Sequence, residues 1–510
     1  MTAPGAAPVQ HRGLITVSIM LATIMQALDT TIANVALPHI QGSLSATQDQ
    51  ITWVLTSYIV AAAIMTPLTG WLAGRYGVKK VFLVSVVGFT FASVLCGLAT
   101  SLSQIVLYRL LQGICGAALV PLSQAVLLDI NPPQRHGQAM AVWGAGIMVG
   151  PILGPALGGW LTDNYDWRWV FFINLPVGIV AFLGILVFIR ESRHANPRRF
   201  DLFGFATLSL GIGALQMMLD RGELKDWFGS TEIWVEAVLA GLGLYLFLVH
   251  TITAEHSFLD RALLRDRNFV TGCVFIFAVG IILYATLALL PPMMQGLLGY
   301  PVITTGVITA PRGMGTMVAM ILVGRLIGKV DIRLIIAFGM ALTAFSLWQM
   351  SGFSLQMGYG PLIWSGICQG TGLGFVFVPL STITFATLDR SLRTDGTAIF
   401  SLLRNVGSSL GISMVTALLT ENTQIVHARL AEGVRPDNPA AWSLARPFGF
   451  DTAAGLAALN GEVTRQAAMV AYIDDFWLMM LIVLAATPLL LLMRKPRGAA
   501  PPAAAAAAAD

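Results

Sequence analysis

The chain has 510 residues, of which 56% are hydrophobic and only 11% are charged. Soluble globular domains carry about 25% charged residues, whereas a helix needs about 20 consecutive apolar residues to cross a bilayer. The many unbroken apolar runs therefore predict an all-α polytopic membrane protein and exclude an outer-membrane barrel of alternating strands. The net charge of +4 resides in turns between these runs, so it does not indicate a nucleic-acid partner.

Catalytic and metal-dependent functions find little support in the sequence. The four cysteines lie inside apolar runs and resemble small core residues rather than a disulfide set. No pair of histidines has metal-ligand spacing and no phosphate-binding P-loop is present, so neither a metal site nor an ATP-driven pump is indicated. We expect a protein that is not an enzyme and that needs no cofactor.

Hydropathy predicts fourteen membrane spans. In chain order they cover residues 14–38, 51–72, 81–100, 105–128, 138–162, 168–189, 202–220, 232–253, 268–290, 302–327, 332–350, 357–385, 396–419 and 473–493. An even number places both termini on the same side of the membrane. Most Lys and Arg residues fall in segments that lie inside if the N-terminus is cytoplasmic, so the positive-inside rule predicts that both termini are cytoplasmic.

The first span contains a carboxylate, Asp29, about midway along its length. A charge at that depth costs about 2.5–3.5 kcal/mol even on the lenient insertion scale, so intramembrane carboxylates usually serve a function. Thr23, Gln26, Thr30 and Asn34 recur at helical spacing and form one polar stripe beside Asp29. The pattern predicts a helix whose polar face lines a substrate cavity. The alternative is a structural carboxylate that is paired with another helix.

A glycine-rich basic turn follows the second span. Glycine permits close helix approach and positive φ, and Lys or Arg can bond exposed helix-end carbonyls and anionic headgroups. The turn is therefore a candidate gate at the cytoplasmic side, although its charges also fit a role in setting the topology. Its residues are Gly70, Gly74, Arg75, Gly77, Lys79 and Lys80.

The fourth span carries another charge, Arg109, one turn before Gln112. Arg109 either snorkels to an interface or faces the bundle, where it would pair with a carboxylate such as Asp29. Such a pair would make proton binding at Asp29 depend on conformation. Because sequence does not show the distance between the two side chains, the pairing is a hypothesis. Gln112 is a further candidate for the cavity.

The fifth span has a ladder of small residues at every fourth position. Such a ridge lets two helices pack backbone to backbone, and prolines within it loosen the helix. We interpret the ladder as a hinge or rocking interface rather than a binding site. Its members are Gly146, Gly150, Pro151, Gly154, Pro155, Gly158 and Gly159.

The two ends of the chain repeat one pattern. Gln112-Gly113 in the fourth span and Gln369-Gly370 in the twelfth each precede a Val-Pro-Leu-Ser run. Duplicated six-helix units with a central site are a transporter architecture. We therefore divide the chain into a cytoplasmic N-terminus (1–13), an N-terminal half (14–189), a linker with two inserted helices (190–254), a C-terminal half (255–493) that includes a periplasmic loop (421–472), and a disordered cytoplasmic tail (494–510).

Polar or flexible side chains also interrupt the second half. Met294 and Gln295 end the ninth span and are candidates for ligand contact, although methionines more often fill a core. Arg404 and Asn405 lie inside the thirteenth span and are further cavity candidates. The polar segment 421–472 is expected to be a loop that serves either as a contact surface for a partner or as an ordered cap. Within it, residues 424–430 have the pattern of an amphipathic helix, which the prolines that follow would interrupt.

Several segments resemble the fourteen-helix drug:proton antiporters of the major facilitator superfamily, and the EmrB branch in particular. They are Leu28–Pro38, Arg109–Gly113, Gly150–Gly159, Asp163–Gly178 and Leu219–Phe228. The resemblance extends from about residue 14 to residue 493. One departure is Gly74, because the family's basic turn usually has Asp at that position. A charge latch built on that Asp cannot operate here, so gating must use other contacts.

The resemblance implies proton-driven export of hydrophobic drugs or toxic compounds across a bacterial inner membrane, by alternating access and without a cofactor. It implies that Asp29 binds a proton or a cationic substrate and that Arg109 assists proton transfer. It also implies that Gly150–Gly159 forms the antiporter hinge. The expected partners are a periplasmic adaptor of the EmrA type and an outer-membrane channel.

Two other functions remain as alternatives. A narrow physiological cargo, such as a fatty acid, a siderophore or another lipid-like acid, would be favoured by Arg312 or Arg404 in the cavity, whereas Asp29 alone favours a cation. A membrane receptor or enzyme is a remote alternative, since the sequence has no nucleophile–base pairing, metal spacing or soluble domain.

Overall fold

The computed structural model describes residues 11–191, 199–434 and 452–493. Within these ranges thirteen helices are long and apolar enough to cross a membrane, and the bent pair Trp53–Met65 and Leu68–Tyr76 makes a fourteenth span. The prediction of an all-α membrane protein is confirmed. The number of spans agrees with the predicted fourteen when the bent pair is counted as one.

We number the spans α1 to α14 in chain order. Their bounds are α1 Arg12–Ser43, α2 Trp53–Met65 with Leu68–Tyr76, α3 Val78–Leu98, α4 Leu102–Ile130, α5 Pro133–Asn164, α6 Trp169–Phe188, α7 Leu202–Arg221, α8 Thr231–Thr253, α9 Arg267–Leu297, α10 Ile303–Leu326, α11 Ile332–Met350, α12 Tyr359–Ala386, α13 Arg390–Gly433 and α14 Ala453–Leu492. Short helices, Gln48–Ile51 and Arg261–Arg265, precede α2 and α9.

Several spans are irregular where proline or glycine weakens the helical hydrogen bonding. α2 bends by 56° around Pro67, which has no amide donor. α5 is interrupted at Met148, within its ladder of small residues. α9 ends in a π-helical turn, Met293–Leu297, directly after two prolines. The breaks divide these spans into separate helical pieces.

The helices alternate in direction, so their ends meet at two faces. At the end of the bundle where α1 begins, which we call the N-terminal face, Lys79 of α3 donates to the Leu186 carbonyl of α6 (2.7 Å). At the opposite end, the far face, Arg168 before α6 donates to the Ala99 carbonyl after α3 (3.2 Å). The N-terminal face is the one expected to be cytoplasmic, and that orientation stays a prediction.

The units α1–α6 and α9–α14 contact each other at the N-terminal face. Arg393 at the start of α13 lies 3.1 Å from the Asp129 carboxylate and donates to the Leu128 carbonyl (3.2 Å), both at the end of α4. At the same face α5 packs so closely against α10 that a side chain at Gly137 would meet Ile327. The structure therefore has its N-terminal face closed.

The inserted spans α7 and α8 pack together, and α7 lies against both units. Gln216 of α7 donates to the Ser409 hydroxyl of α13 (2.5 Å). The Asp220 carboxylate at the end of α7 accepts a hydrogen bond from Thr56 of α2. α7 thus bridges the two units near the far face.

The expected loop 421–472 is helical over much of its described length, which corrects that expectation. α13 continues to Gly433 and α14 begins at Ala453. The 41 residues of α-helix that end at Gly433 extend over about 60 Å, twice the thickness of a hydrocarbon core. Both helices therefore project beyond the membrane at the far face, where His427 and Asn460 are hydrogen-bonded (3.0 Å).

The expectations for residues 1–10, for the centre of that loop (435–451) and for the tail 494–510 fall outside the described residues. The domain boundaries given above stay predictions.

Candidate functional site

Asp29 lies in the middle of α1 with only 1% of its surface exposed. The guanidinium of Arg109 on α4 reaches it, and Arg109 Nη1 lies 2.6 Å from Asp29 Oδ2. Arg109 is itself completely buried, so it does not snorkel to an interface in this conformation. The fold brings together two charges that are 80 positions apart in the sequence.

Two amides complete the surroundings of the Asp29 carboxylate. Gln112 on α4 and Asn174 on α6 each donate from their side-chain nitrogen to Asp29 Oδ1 at 2.8 Å. Asn174 also donates to Ser93 Oγ of α3 (2.9 Å). The ionised carboxylate is therefore compensated both by a charge and by hydrogen bonds, as a buried anion requires.

Arg109 is held from another side by α2. Its Nε donates to the Val54 carbonyl (3.1 Å), and its guanidinium carbon lies 4.3 Å from the centre of the Tyr58 ring, a cation–π distance. Its Nη1 also donates to Gln112 Oε1 (2.8 Å). Its Nη2 is buried, and no described residue forms a hydrogen bond with it. The cation thus depends on Asp29 for charge compensation and keeps one donor unused.

This cluster joins α1, α2, α3, α4 and α6 through one titratable carboxylate. A proton on Asp29 removes the negative charge that neutralises Arg109. Loss of one partner from a buried ion pair costs about 3–5 kcal/mol, so protonation favours a different arrangement in which Arg109 reaches water or another anion. The packing of Arg109 therefore depends on the charge of Asp29.

Sequence reasoning missed Asn174 and Ser93, which are 2% and 0% exposed. Small polar residues in apolar spans are common at structural helix contacts, so their type alone does not single them out. The available signal was an amide near the start of the sixth span. Nothing local in the sequence indicates that it reaches Asp29.

Most of the polar stripe of α1 is more accessible than Asp29, but Thr23 is 1% exposed and donates to the Ile19 carbonyl of its own helix (3.0 Å). Gln26 and Thr30 are half-buried, and Asn34 is exposed. Gln26 donates to the Tyr58 hydroxyl at 3.4 Å, a long hydrogen bond, and Thr30 donates back to the Gln26 carbonyl (3.0 Å). Gln26 Oε1 is buried and has no hydrogen-bond partner among the described residues. The role of these side chains in a substrate cavity stays a prediction.

The remaining cavity candidates fall into two groups. Gln112 and Met294 are 0% and 1% exposed, because Gln112 belongs to the Asp29 cluster and Met294 to the apolar core of the second half. Neither faces open space in this conformation, contrary to expectation. Arg404 and Asn405 on α13 are half-buried, and Gln295 is exposed.

The glycine ladder of α5 packs against α1 within the same six-span unit. A side chain at Gly150 would lie 2.8 Å from the Ala27 backbone, and one at Gly154 would meet Thr31, whereas Gly159 faces nothing within 4 Å. The ladder therefore permits close approach to the helix that carries the carboxylate, and its role as a hinge stays a prediction. The other members are Gly146 and Gly158, which also face α1, and Pro151 and Pro155, which are at least partly exposed.

The basic turn lies at the N-terminal face between α2 and α3. Gly77 has a φ of +94°, which residues with a side chain rarely adopt, and a side chain there would meet Glu191. Gly70 approaches Asp395 of α13 so closely that the turn contacts the second unit. The other members are Gly74 and Lys79, which are half-buried, and Arg75 and Lys80, which are exposed.

Comparison with known proteins places these features in a family context. Residues 19–412 match the family described as Major Facilitator Superfamily. Over 470 residues the chain is 37% identical to the multidrug export protein EmrB of Escherichia coli K12, covering 91% of this chain and 92% of that protein. It is 37% identical over 461 residues to the fatty acid resistance protein FarB of Neisseria gonorrhoeae, and this match covers 89% of this chain and 91% of that protein. Among solved structures, the human organic anion transporter MFSD10 aligns with a TM-score of 0.59 at 15% identity. The alignment covers 92% of this chain and 99% of that protein and shows a likeness of fold.

Proposed function

The chain belongs to the major facilitator superfamily, on the branch of the EmrB-like proteins, and we propose that it exchanges protons for hydrophobic or amphipathic toxic compounds across a bacterial inner membrane. It is a multi-pass membrane transporter and not an enzyme in the usual sense. The observation that carries the proposal is the buried Asp29–Arg109 pair, because it makes the packing of the N-terminal unit depend on one proton.

In the proposed cycle the transporter alternates between a conformation closed at the N-terminal face and one closed at the far face. In the present structure Asp29 is paired with Arg109 and the N-terminal face is closed, in part by the Arg393–Asp129 ion pair. That ion pair supplies a gate contact in a chain whose basic turn has Gly74 in place of an acidic residue. A proton that enters from the far face neutralises Asp29, frees Arg109 and favours release of the cargo. The N-terminal face then opens, and the proton leaves Asp29 at that face.

The driving force is sufficient for export. One inward proton supplies about 2.3 kcal/mol per 100 mV of membrane potential, and a pH gradient adds to this. That energy corresponds to roughly fifty-fold accumulation of a neutral compound. No bound cofactor is part of the proposal.

The accessible polar side chains of α1 support a site for amphipathic cargo. Gln26, Thr30 and Asn34 present a hydrogen-bonding stripe on a largely apolar helix, although Gln26 Oε1 itself is buried, without a partner among the described residues. A site of this kind can orient a polar group while apolar walls accept varied shapes. Its relative in Escherichia coli is named as a multidrug export protein, which agrees with broad specificity.

A second candidate is export of a lipid-like acid. The similarity to a protein named for fatty acid resistance favours it. Arg404 on α13 also favours it, because this half-buried cation has a buried Nε that finds no hydrogen-bond partner in the described parts of the chain. Arg312 is less available, since it is 6% exposed and donates to the Leu283 carbonyl (3.3 Å).

We further propose that the far face is periplasmic and that both termini are cytoplasmic. The helices that project beyond the membrane, α13 to Gly433 and α14 from Ala453, would then offer a contact surface to a periplasmic adaptor of the EmrA type and, through it, to an outer-membrane channel.

Proteoliposomes with an imposed pH gradient test the proposal. Ethidium should dissipate the gradient through the wild-type protein, which a pH-sensitive dye inside the vesicles records. Asp29→Asn, although less stable, should still be reconstituted but should not couple ethidium to protons. The matched control is Asp163→Asn, an exposed acid at the far end of α5, which should behave like the wild type. Retained coupling in Asp29→Asn would remove this residue from the mechanism.

A further inference from the structure

A second carboxylate is buried in the other half of the protein. Asp475 on α14 is 1% exposed. Both of its oxygens are buried, and neither has a hydrogen-bond partner among the described residues. Its neighbour in the chain, Asp474, is exposed. Asp475 therefore differs sharply from Asp29, which has an arginine and two amides around it.

The residues that follow Asp475 on α14 are apolar. The next residue, Phe476, packs edge-on against Phe353 with ring centroids 5.9 Å apart. One turn further along α14, Met479 Sδ accepts a hydrogen bond from Thr286 of α9 (3.7 Å). A carboxylate without donors in such a place is far more easily accommodated as the neutral acid than as the anion.

No counter-charge reaches Asp475 from the described parts of the helices packed against α14. The groups that interact electrostatically with it are Asp474 and Tyr472 of its own helix. Tyr284 on α9 and Arg404 on α13 make neither a hydrogen bond nor an ion pair with it. An ion pair therefore does not account for its burial.

The internal duplication gives the second half a polar contact that corresponds to part of the Asp29 cluster. Gln112 of α4 donates to Asp29 of α1, and its repeat equivalent Gln369 of α12 donates to Thr286 of α9 (3.0 Å). In the first half the carboxylate, Asp29, is on the first helix, α1, and the amide of Asn174 is on the sixth, α6. In the second half the first helix, α9, carries the hydroxyl of Thr286, and the sixth, α14, carries the carboxylate of Asp475.

The side-chain amide of Gln369 has an unsatisfied hydrogen-bond acceptor. Gln369 Oε1 is buried without a hydrogen-bond partner in the described structure. The second half thus holds two buried polar groups without partners among the described residues, the carboxylate of Asp475 and the amide oxygen of Gln369.

We propose that Asp475 is a second proton-binding site, occupied in the present conformation and emptied when the C-terminal half rearranges. The step forms and breaks only the O–H bond of the carboxylic acid, with the proton taken from one aqueous face and given to the other. This inference rests on the proposed antiport. It implies that more than one proton moves in each cycle.

Infrared spectroscopy of the purified full-length protein at neutral pH tests occupancy without any ligand. The wild type should show a carboxylic-acid carbonyl band that shifts in deuterated water. Asp475→Asn should lose this band, whereas the matched control Asp474→Asn, an exposed acid one residue away, should keep it. A wild-type spectrum that Asp475→Asn leaves unchanged would overturn the proposal.

Proton counting in proteoliposomes tests coupling, with ethidium as the probe. The ratio of protons to ethidium should fall by about half in Asp475→Asn and stay at the wild-type value in Asp474→Asn. An unchanged ratio would reduce Asp475 to a structural acid. If the wild type exchanges no protons for ethidium or other lipophilic cations, the antiport itself fails, and the infrared band still shows separately whether Asp475 holds a proton.

Discussion

Replacement of Asp29 by asparagine tests the ion pair most severely. Asparagine keeps one oxygen but replaces the other by a donor. If the oxygen faces Arg109, the nitrogen faces Gln112 and Asn174, whose nitrogens now donate to Asp29 Oδ1. Rotating the Gln112 amide does not help, because its Oε1 already accepts from Arg109 Nη1 (2.8 Å). The variant therefore leaves a buried cation uncompensated and at least one amide unsatisfied.

The expected loss of stability follows from that geometry. Removing one partner of a buried ion pair costs about 3–5 kcal/mol. For a large chain this should lower the Tm by roughly 5 °C. The double variant Asp29→Asn, Arg109→Met also removes the buried cation, so it should recover much of the loss. Free, buried cysteines such as Cys96 and Cys273 provide the assay, because a thiol-reactive fluorogenic dye reports their exposure on heating.

A matched control separates charge removal from burial. Asp166→Asn removes an ion pair with Arg168 in which the side chains are 48% and 34% exposed, so it should change stability by about 1 kcal/mol or less. Two results would refute the reasoning about Asp29. One is an Asp29→Asn protein that melts like the wild type, and the other is a double variant whose loss equals the sum of the single losses.

Three further substitutions test the gate and the helix contacts. Asp129→Asn weakens the partly exposed ion pair between the units by about 0.5–1 kcal/mol and should speed amide hydrogen exchange at the start of α13. Gly77→Ala places a side chain at a φ of +94° and should cost about 1–2 kcal/mol by thermal melting, whereas Gly241→Ala, which faces nothing within 4 Å, should not destabilise. Gly150→Ala overpacks the α1–α5 contact and should cost about 1–3 kcal/mol, unlike Gly159→Ala, which has free space.

Contrary results have clear meanings. Unchanged exchange in Asp129→Asn would show that its ion pair does not keep the N-terminal face closed. If Gly77→Ala melted at the same temperature as Gly241→Ala, the basic turn would accept a side chain without loss of stability. If Gly150→Ala melted at the same temperature as Gly159→Ala, the contact between α1 and α5 would do so.

The spans were predictable because their signal is local. A run of apolar residues specifies a membrane helix regardless of what surrounds it, and the fourteen predicted spans correspond to the observed ones. The projecting parts of α13 and α14 were not predictable by the same argument. Their polar composition resembles that of a loop, and they are helical as continuations of spans that pack together.

The site was predictable only in part. The presence of Asp29 and Arg109 inside apolar spans is visible in the sequence, but their contact depends on how α1 and α4 pack. Gln112 and Met294 look like cavity residues by type, yet packing buries both. The sequence does not single out Asp475. Hydropathy starts the last span at residue 473, which places this acid at an aqueous edge, whereas the fold buries it.

The central claim is that a proton and the cargo compete for a site that contains Asp29. The most direct measurement is proton release from the purified protein in weakly buffered detergent solution after addition of a lipophilic cation, a neutral apolar compound or a fatty acid. The account predicts that one class of compound releases protons from the wild type and that Asp29→Asn releases measurably fewer. Equal release from both proteins would contradict the claim, because coupling would then run through another group.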